Sequence, residues 1–269
     1  MSKISPIGKI KNTKKSKYPY YCTAEIEIDR QFMSGLTRLE EHSHLWVICL
    51  FEQQKEPALL IKPRHLYPTE NQQPFGVFAL RSPNHPNPLS LTLTKLEKIE
   101  DNRLYVSTID ANEDTPVLDI KPYYTDDIVF SPTSPTFQNK SPEIQLGWLE
   151  KAALNHHQEE CVYSALAIRA VHYAELQGIN TTAADLCVQV SGHPCFADTL
   201  QGLMQARLSN PCRFAFQEAE ENRCRFYDAK NNLLFCAAAL LPTDYQSVIT
   251  ADFADIFTLT WQNNRQNKL

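Results

Sequence analysis

The segment from Pro83 to Pro88, which reads Pro-Asn-His-Pro-Asn-Pro, is the strongest constraint on how this chain can fold. Each proline fixes φ, lacks an N–H donor and pushes the preceding residue toward an extended conformation, so neither a helix nor an inner strand accommodates this order. Apolar residues flank the segment at Val77–Leu80 and at Leu89–Leu93. The pattern therefore predicts two strands joined by a rigid loop, which loses little conformational entropy when it orders.

Three polar side chains accompany this loop: Arg81 at its entrance, and His85 and Asn87 on the loop itself. A rigid loop holds such groups in place at low entropic cost, as a ligand site requires. A proline-rich connector without any ligand accounts for the segment equally well. Taken alone, the segment leaves both interpretations open.

The composition describes an ordinary globular protein, with 43% apolar and 21% charged residues. No run of about 18 apolar residues occurs, so no transmembrane helix is expected. The basic N-terminus lacks an apolar segment, which argues against a secretory signal. The eight cysteines form no Cys-x-x-Cys pair, and they are interpreted as reduced thiols of a cytoplasmic protein.

The net charge of −5 is concentrated in the C-terminal half. Residues 1–142 contain 17 Lys+Arg and 17 Asp+Glu, whereas residues 143–269 contain 9 and 14. A nucleic-acid-binding protein normally shows a basic surface, because phosphate contacts dominate its affinity. The basic candidates are Lys9, Lys11, Lys14, Lys15 and Lys17. These lysines fit either a phosphate-binding run or a solvated strand and loop.

The first 130 residues are predicted to be mainly β. Short β-branched or aromatic segments, separated by turn residues, are typical of a sandwich or barrel. The expected strands are Ile4–Lys11, Tyr21–Ile28, Leu45–Phe51, Leu89–Leu96, Leu104–Ile109 and Val117–Ile120. Glu100–Asn102 is predicted to form a hairpin turn, and Arg30–Leu39 a short helix.

Residues 131–142 have the Ser/Thr/Pro composition of a linker, so we predict a barrel at 1–130 and a smaller α+β domain at 143–269. The pattern of the second domain predicts a long helix or helix pair, two more helices and a three-stranded meander. Their expected bounds are Glu143–Gln177, Thr181–Val190, Phe196–Leu208, Arg213–Glu218, Arg223–Asp228 and Leu233–Leu240.

Four segments occur in an order that is informative in itself: ISPIGKIKNT, LEEHSHLWVICLFEQ, GVFALRSPNHPNPLSLT and TPVLDIKPY. Together they resemble the TrmO (YaeB/TsaA-like) family over roughly residues 3–130. That resemblance implies a β-barrel that binds S-adenosylmethionine, works as a dimer, and methylates N6 of a threonylcarbamoyl-modified adenosine beside the tRNA anticodon. The absence of a G-x-G-x-x-G motif in the sequence agrees with a fold other than the Rossmann type.

The resemblance also implies where the cofactor binds. The matching positions are Glu52, Gln53, Arg81, Leu91, Ser107, Thr108, Ile109 and Asp110. A guanidinium such as Arg81 suits the methionine carboxylate, and Glu52 or Asp110 suits the amine or sulfonium. A structural ion pair is the alternative role for Arg81.

Asp119, Lys121 and Tyr123 alternate along the DIKPY strand and are expected on one face. They fit the lining of an acceptor pocket or a buried salt-bridged network. The substrate-binding candidates are Asn87, Lys121, Tyr123 and Arg213, of which Arg213 follows the resemblance of the C-terminal domain. Asp119 and His85 are the candidate general bases.

The chain departs from the family at several positions, and these departures leave two rival functions open. Leu80 and His85 replace a threonine and an arginine, and Glu113–Asp114 replaces Asp-Gly. A Pro-Arg-Gln-Pro-Gly-like stretch is absent between Ile10 and Leu45. One rival is a binding or regulatory module without tRNA methylation. The other, suggested by the acidic C-terminal domain, is a methyltransferase with a small-molecule acceptor.

No metal is expected from the sequence. Glu41, His42 and His44 are close together, but no partner pair at zinc-site spacing stands nearby. His157 and Cys161 are four residues apart, and on one helix they would share a face. Such a pair fits a metal site or an exposed helix face, and we interpret it as an exposed helix face.

Overall fold

The computed structural model describes residues 4–16, 21–51, 57–62, 74–132 and 141–261. Within it the chain divides into two compact units, Met1–Ile128 and Val129–Leu269. The linker predicted at 131–142 overlaps residues outside the described ranges, so the domain limits stay a prediction.

Six antiparallel strands of the first unit close into a barrel. The strands described in this unit are β1 (Gly8–Lys15), β2 (Cys22–Ile28), β3 (His44–Leu50), β4 (Leu60–Ile61), β5 (Phe75–Gly76), β6 (Leu89–Glu100), β7 (Arg103–Ile109) and β8 (Pro116–Pro122). The barrel order is β1-β2-β7-β6-β3-β8, while β4 pairs only with β5. This confirms the predicted β-barrel.

Alternation along each strand builds the barrel core. In β3, Leu45, Val47 and Cys49 are fully buried, whereas the residues between them are partly exposed. In β6, the inward positions begin with Ser90 and Thr92, so part of the interior is polar. A strand that is apolar on its inner face and solvated on its outer face is the pattern expected of an antiparallel barrel.

Two turns show how non-glycine residues take up left-handed conformations. Asp101, in the predicted hairpin between β6 and β7, has φ 53°. Asp114, which stands where the family has glycine, has φ 62°. Aspartate and asparagine tolerate this region better than other residues with side chains. The Asp-for-Gly difference is therefore accommodated by the backbone.

The structure corrects two local predictions in this unit. Val77–Ala79 is a 3-10 helix rather than a strand, so only the β6 side of the proline loop is a barrel strand. The helix predicted at Arg30–Leu39 is also of 3-10 type, covering Arg30–Leu36 and Leu39–Glu41. Short 3-10 turns are common connectors, and sequence pattern does not separate them from α-helix.

The second unit contains five helices and five strands within the described residues. The helices are α1 (Pro142–His157), α2 (Val162–Leu176), α3 (Pro194–Met204), α4 (Tyr245–Thr250) and α5 (Phe253–Ile256). The strands are β9 (Cys187–Gly192), β10 (Phe214–Glu218), β11 (Arg223–Tyr227), β12 (Asn232–Ala237) and β13 (Phe257–Trp261). This mixture confirms the predicted α+β class.

The sheet of the second unit differs from the predicted meander. Its order is β10-β9-β11-β12-β13, and β10 runs parallel to β9. The helix predicted at Thr181–Val190 is wrong, because β9 lies there between two partners. Val188 and Val190 are buried and Gln189 is exposed, which is strand alternation. Pairing on both sides outweighs the helical propensity of the preceding alanines.

The helices cover one large apolar core in this unit. Phe196 on α3 and Phe226 and Phe235 on neighbouring strands are fully buried, and α2 contributes alanine, leucine, isoleucine and valine side chains between Ala165 and Ala174. None of the described helices is long and apolar enough to span a membrane.

Candidate functional site

The proline loop is held by contacts with its own side chains. The His85 Nε2 lies 2.9 Å from the Leu80 carbonyl oxygen, and the Phe78 ring lies 5.7 Å from the His85 ring. The Asn84 N–H donates to Ser82 Oγ at 3.2 Å, and the Asn84 carbonyl accepts from Ala58 N at 3.2 Å. His85 therefore stabilises the loop, which weakens its candidacy as a general base.

The other two polar residues of this segment face outward. Arg81 and Asn87 are both exposed. The Asn87 carbonyl accepts from Leu89 N at 2.8 Å, which starts β6 directly after the loop. Among the residues that the structure describes, Arg81 makes no ion pair with a carboxylate. The structural ion pair considered for Arg81 is thus absent from these parts of the chain.

Arg81 and Asp110 converge on Tyr21 at one end of the barrel. This end is where β2 begins and β7 finishes, as the pairing of Cys22 with Ile109 shows. Burial raises the pKa of the Tyr21 hydroxyl, the charge of Asp110 raises it further, and the charge of Arg81 lowers it in part. Both charges are therefore close enough to act on one phenol.

Asp110 reaches this position because of a β-bulge in β7. The register between β2 and β7 shifts between the pairs Cys22–Ile109 and Ala24–Val106. The extra residue turns Ile109 into the core, where it is fully buried, and leaves Asp110 on the exposed side. Ile109 therefore breaks the alternation of buried and exposed residues along β7. Removal of water by the surrounding protein raises the pKa of the Asp110 carboxyl.

A buried hydroxyl lies at the same end of the barrel. Ser90 pairs with Cys49 across β6 and β3 and is 8% exposed. The pKa of the Cys49 thiol is raised to about 11, mainly by burial. The Asp110 charge also raises this pKa, and a hydrogen bond with the Ser90 hydroxyl partly offsets the rise. Within the described residues Ser90 Oγ has no hydrogen bond of standard geometry. Buried polar atoms usually have such a partner.

The remaining predicted cofactor residues do not share one environment. Leu91 is on the outer face of β6 and is 45% exposed. Ser107 is partly exposed, whereas Thr108 is buried and its N–H donates to Thr94 Oγ1 at 3.1 Å. Thr108 and Ile109 can therefore contact a ligand only through their backbone atoms. Glu52 and Gln53 lie outside the described residues.

Asp119 and Lys121 lie on one face, as their alternation predicted, and this face is the outside of the barrel. Lys121 Nζ is 2.8 Å from Asp119 Oδ2, and Asp119 Oδ1 accepts from Ile120 N at 2.9 Å. The side chain of Lys121 is 62% exposed and that of Asp119 is 43% exposed, so the alternative of a buried salt-bridged network is wrong. Tyr123 continues this row, with its ring 6.1 Å from that of Trp46.

The outer row extends across three strands. Ile48 of β3 pairs with Asp119 of β8 on one side and with Leu91 of β6 on the other. Asp119 and Leu91 therefore stand two strands apart on the same face. The structure thus places predicted catalytic and cofactor residues on one surface, next to the proline loop that leads into β6.

Arg213 is a structural residue. It is 6% exposed, and its guanidinium donates to the carbonyl oxygens of Ala183, Leu186, Met204 and Gln205. The prediction that its side chain contacts substrate is therefore corrected. Five hydrogens in a fixed planar arrangement explain why arginine suits such a site.

Several residues near these sites were missed by sequence reasoning. Arg207 is exposed and lines a cavity of about 340 Å³ with Phe130, Gln201, Leu208, Ser209 and Asn210. Tyr21 and Ser90 belong to the end of the barrel that holds Arg81 and Asp110. Alternation along LSLT could have shown that Ser90 points inward, but no pattern links it to Tyr21.

The arrangement at the barrel end suits a zwitterionic ligand. A guanidinium without an ion-pair partner in the described parts of the chain binds a carboxylate, often through two hydrogen bonds. The Asp110 carboxylate suits a nearby cationic group. Exposed Leu91 offers an apolar surface to a flat ring.

Comparisons with known proteins show similarity to proteins whose names refer to S-adenosylmethionine. The profile of the "tRNA-methyltransferase O N-terminal domain" matches residues 11–127. A Pseudomonas aeruginosa protein named "Putative S-adenosylmethionine-dependent methyltransferase RcsF" is 35% identical over 168 residues, covering 58% of this chain and 69% of that protein. An Archaeoglobus fulgidus "Probable S-adenosyl-L-methionine-binding protein" is 33% identical over 195 residues, covering 70% of this chain.

A mammalian relative matches a shorter segment at higher identity. The mouse "tRNA (adenine(37)-N6)-methyltransferase" is 46% identical over 92 residues, which are 34% of this chain and 21% of that protein. The chain also spans only about half, 52%, of the Archaeoglobus protein.

Proposed function

The chain belongs to the TrmO family, and from this premise we propose that it is an S-adenosylmethionine-dependent methyltransferase acting on N6 of an adenosine in tRNA. The observation that carries the proposal is that Arg81 and Asp110 are both exposed and both act electrostatically on Tyr21, at the end of the barrel where Cys22 pairs with Ile109. The names of the Pseudomonas and mouse relatives support the reaction class and the acceptor.

The residues at the barrel end fit S-adenosylmethionine. Arg81 would bind the methionine carboxylate, and Asp110 would lie near the ammonium or sulfonium charge. Leu91, with Ser107 and the backbone of Thr108 and Ile109, would hold the adenine side. When bound, the cofactor supplies an electrophilic methyl group.

The protein's contribution to transfer is mainly positioning. Displacement at a methyl carbon requires the acceptor nitrogen in line with the departing sulfur, and holding two reactants in that geometry is a large part of the catalytic effect. Asp119 is the better candidate for accepting the N6 proton, because it is accessible on the same face as Leu91. The Nε2 of His85 is engaged inside its loop.

The acceptor site that we propose combines the outer row with basic residues of β1. Lys121 and Tyr123 lie beside Asp119, and Asn87 stands on the proline loop. Lys14 and Lys15 are exposed. In the second unit, Arg207 takes the substrate-contact role that Arg213 does not fill. The family resemblance implies that the substrate is an adenosine that carries a threonylcarbamoyl group. Acting on tRNA would place the enzyme in the cytoplasm.

We also propose a homodimer formed through the outer face of the barrel. Leu89 and Leu91 are 43% and 45% exposed, and Phe78 beside the loop is 79% exposed. Large apolar side chains concentrated on one surface are typical of interaction sites. Such a dimer would bring a second chain next to the proposed cofactor site.

A second function remains open, namely a cofactor-binding module without tRNA methylation. The Archaeoglobus relative is named only as a binding protein. The segment between Ile10 and Leu45 is also short, and in this structure it holds two 3-10 helices. A third possibility is a methyltransferase that acts on a small molecule, and such an enzyme would use the same cofactor site.

Calorimetry with S-adenosylmethionine tests the proposed cofactor site. Arg81→Ala should weaken binding by about 1.5–3 kcal/mol, the value of a hydrogen bond to a charged group, or about 12- to 140-fold. Stability should hardly change, because Arg81 is exposed. Arg103→Ala is the matched control: Arg103 starts β7, about 24 Å along the strand from Asp110.

Unchanged affinity in Arg81→Ala would contradict the assignment of the carboxylate site. A wild-type protein that releases no heat with millimolar cofactor would contradict both the methyltransferase and the cofactor-binding module. Equal losses in Arg81→Ala and Arg103→Ala would indicate a general effect on the barrel instead of a local contact.

A further inference from the structure

Three metal-binding side chains meet in the second unit, far along the chain from the proposed methyl-transfer site. They are His157, Cys161 and Cys195, and their ligand atoms all lie within 4.8 Å of one another. His157 is the last residue of α1, Cys161 immediately precedes α2, and Cys195 is the second residue of α3. Three helix ends therefore converge on one point.

Local chain geometry fixes this convergence. Gln158 adopts φ 63° and ends α1, so His157 and Cys161 lie on two helices rather than on one face of a single helix. The Cys161 Sγ accepts from Ser164 N at 3.4 Å and caps α2. The His193 ring, which precedes α3, stacks on the Tyr163 ring of α2 at 3.8 Å. The expected exposed helix face is thus wrong.

Helices α1 and α3 also approach closely beside the cluster. A Cβ placed on Gly202 would lie 2.3 Å from the His156 ring, so a larger residue would force the helices apart. Because the two helices are close, Asp198 of α3 contacts both His156 and His157 of α1. The cluster is consequently held by packing on several sides.

The separation of the donor atoms matches a tetrahedral metal site. His157 Nε2 lies 3.7 Å from Cys161 Sγ. Zinc–sulfur and zinc–nitrogen bonds of about 2.3 and 2.0–2.1 Å, at a tetrahedral angle, place these two atoms about 3.6 Å apart. No large movement of either side chain is needed.

Asp198 orients His157 as a ligand. Its Oδ2 lies 2.7 Å from His157 Nδ1, and its Oδ1 lies 3.3 Å from His156 Nε2. An ionised carboxylate only accepts, so Nδ1 carries the proton and the Nε2 lone pair of the neutral ring points toward Cys161. A histidine with this carboxylate partner is typical of zinc ligands. The His157 side chain is only 9% exposed.

The surroundings also favour a thiolate at Cys161. The Ser164 backbone N–H donates to the Cys161 Sγ, and such a hydrogen bond stabilises the anionic form of a thiol. The start of the 15-residue helix α2 adds the positive end of its dipole. Thiolates are the form of cysteine that binds metals.

We propose that His157, Cys161 and Cys195 bind one Zn²⁺ ion, with the fourth tetrahedral position open to water or to an external ligand. Three protein ligands with an open position are typical of reactive zinc sites rather than of closed structural ones. This site is independent of the proposed methyl transfer, because its residues belong to the second unit alone. It replaces the expectation, drawn from the sequence, that the protein binds no metal.

The test measures zinc per chain after reduced, metal-free protein is incubated with Zn²⁺, and records the thiolate-to-metal charge-transfer band with Co²⁺. We expect one ion per wild-type chain. His157→Gln, Cys161→Ser and Cys195→Ser should each lose it, and Asp198→Asn should weaken binding about 10- to 100-fold. Cys212→Ser is the matched control, since Cys212 is an exposed cysteine of the same unit.

Cys161→Ser retains an oxygen that can cap α2, and circular dichroism checks that each variant is folded. Reduced wild-type protein that binds neither zinc nor cobalt overturns the proposal, whatever the variants do. Full zinc content in the folded Cys161→Ser and Cys195→Ser variants also overturns it. A Cys161–Cys195 disulfide in air, with no metal taken up after reduction, would show that the two thiols form a redox pair instead.

Discussion

Replacing Arg213 with methionine removes a buried guanidinium while keeping most of the apolar volume of its side chain. Four carbonyl oxygens lose a donor, but two of them keep another. Ala183 O still accepts from Leu186 N at 3.2 Å, and Gln205 O still accepts from Ser131 Oγ at 2.6 Å. Leu186 O and Met204 O keep no donor among the loop and side-chain hydrogen bonds of the described residues.

The expected loss follows from those two acceptors. An unsatisfied buried acceptor costs about 1–3 kcal/mol, so Arg213→Met should reduce the free energy of unfolding by about 2–6 kcal/mol. At roughly 4 °C per kcal/mol for a domain of this size, the melting temperature should fall by about 8 °C or more. Burial lowers the pKa of Arg213, in keeping with the cost of placing this charge inside the protein.

Urea denaturation of the second unit is the assay, with Arg207→Ala as control. Arg207 is exposed and close in sequence, so its loss should change stability by less than about 0.5 kcal/mol. If tRNA is the acceptor, Arg207→Ala should instead weaken tRNA binding. Arg213→Met with unchanged stability and weakened tRNA affinity would refute the structural role.

Three more predictions follow from the charges and units described. Neutralising Lys11, Lys14 and Lys15 should reduce the slope of log affinity for tRNA against log salt concentration by about 2. Lys14 and Lys15 should account for most of this change, because Lys11 already pairs with Asp114. An unchanged slope in a salt titration would show that these three lysines are ordinary solvated surface. Burial raises the pKa of Glu175 above its usual 4.5, so wild-type stability should fall as pH rises from about 4.5 through the folded-state pKa. Glu175→Gln should flatten that fall in melting curves, and equal curves for both proteins would contradict it. A chain ending at Ile128 should remain folded, dimerise and bind S-adenosylmethionine in calorimetry and sedimentation, while losing tRNA affinity; aggregation would show that the second unit completes the barrel.

Sequence reasoning was most successful where local pattern and fold agree. Strand β3 alternates along its whole length, and β7 alternates up to its bulge, which is enough to indicate the barrel. The proline segment correctly predicted a loop before β6, because three prolines exclude regular structure regardless of tertiary context. Alternation alone also placed Asp119 and Lys121 on one face, but it did not show that this face is the outside of the barrel.

The failures share one cause, since each depends on contacts between distant segments. Alanine and leucine after Thr181 suggest a helix, yet pairing with β10 and β11 makes Cys187–Gly192 a strand. The edge strand Phe257–Trp261 was missed for the same reason. Pattern does not reveal that Arg213 is buried beneath four carbonyls.

Site residues show the same limit. Family resemblance identified Arg81 and Asp110, but not Tyr21, which lies about 60 residues from Arg81 in sequence. The bulge that directs Asp110 outward has no local signal in β7. Cys195 joins His157 and Cys161 only through the packing of α3, so spacing alone never indicated the cluster.

Methyl transfer to tRNA is the measurement that bears most directly on the proposed function. The full chain would be incubated with methyl-labelled S-adenosylmethionine and either unmodified tRNA or tRNA carrying threonylcarbamoyl-adenosine beside the anticodon, and the nucleosides would then be separated by mass spectrometry. We predict label on N6 of the modified adenosine, reduced in Arg81→Ala and retained in Arg103→Ala. Cofactor binding without label in any tRNA nucleoside would contradict the proposal and leave the binding module or a small-molecule acceptor as the function.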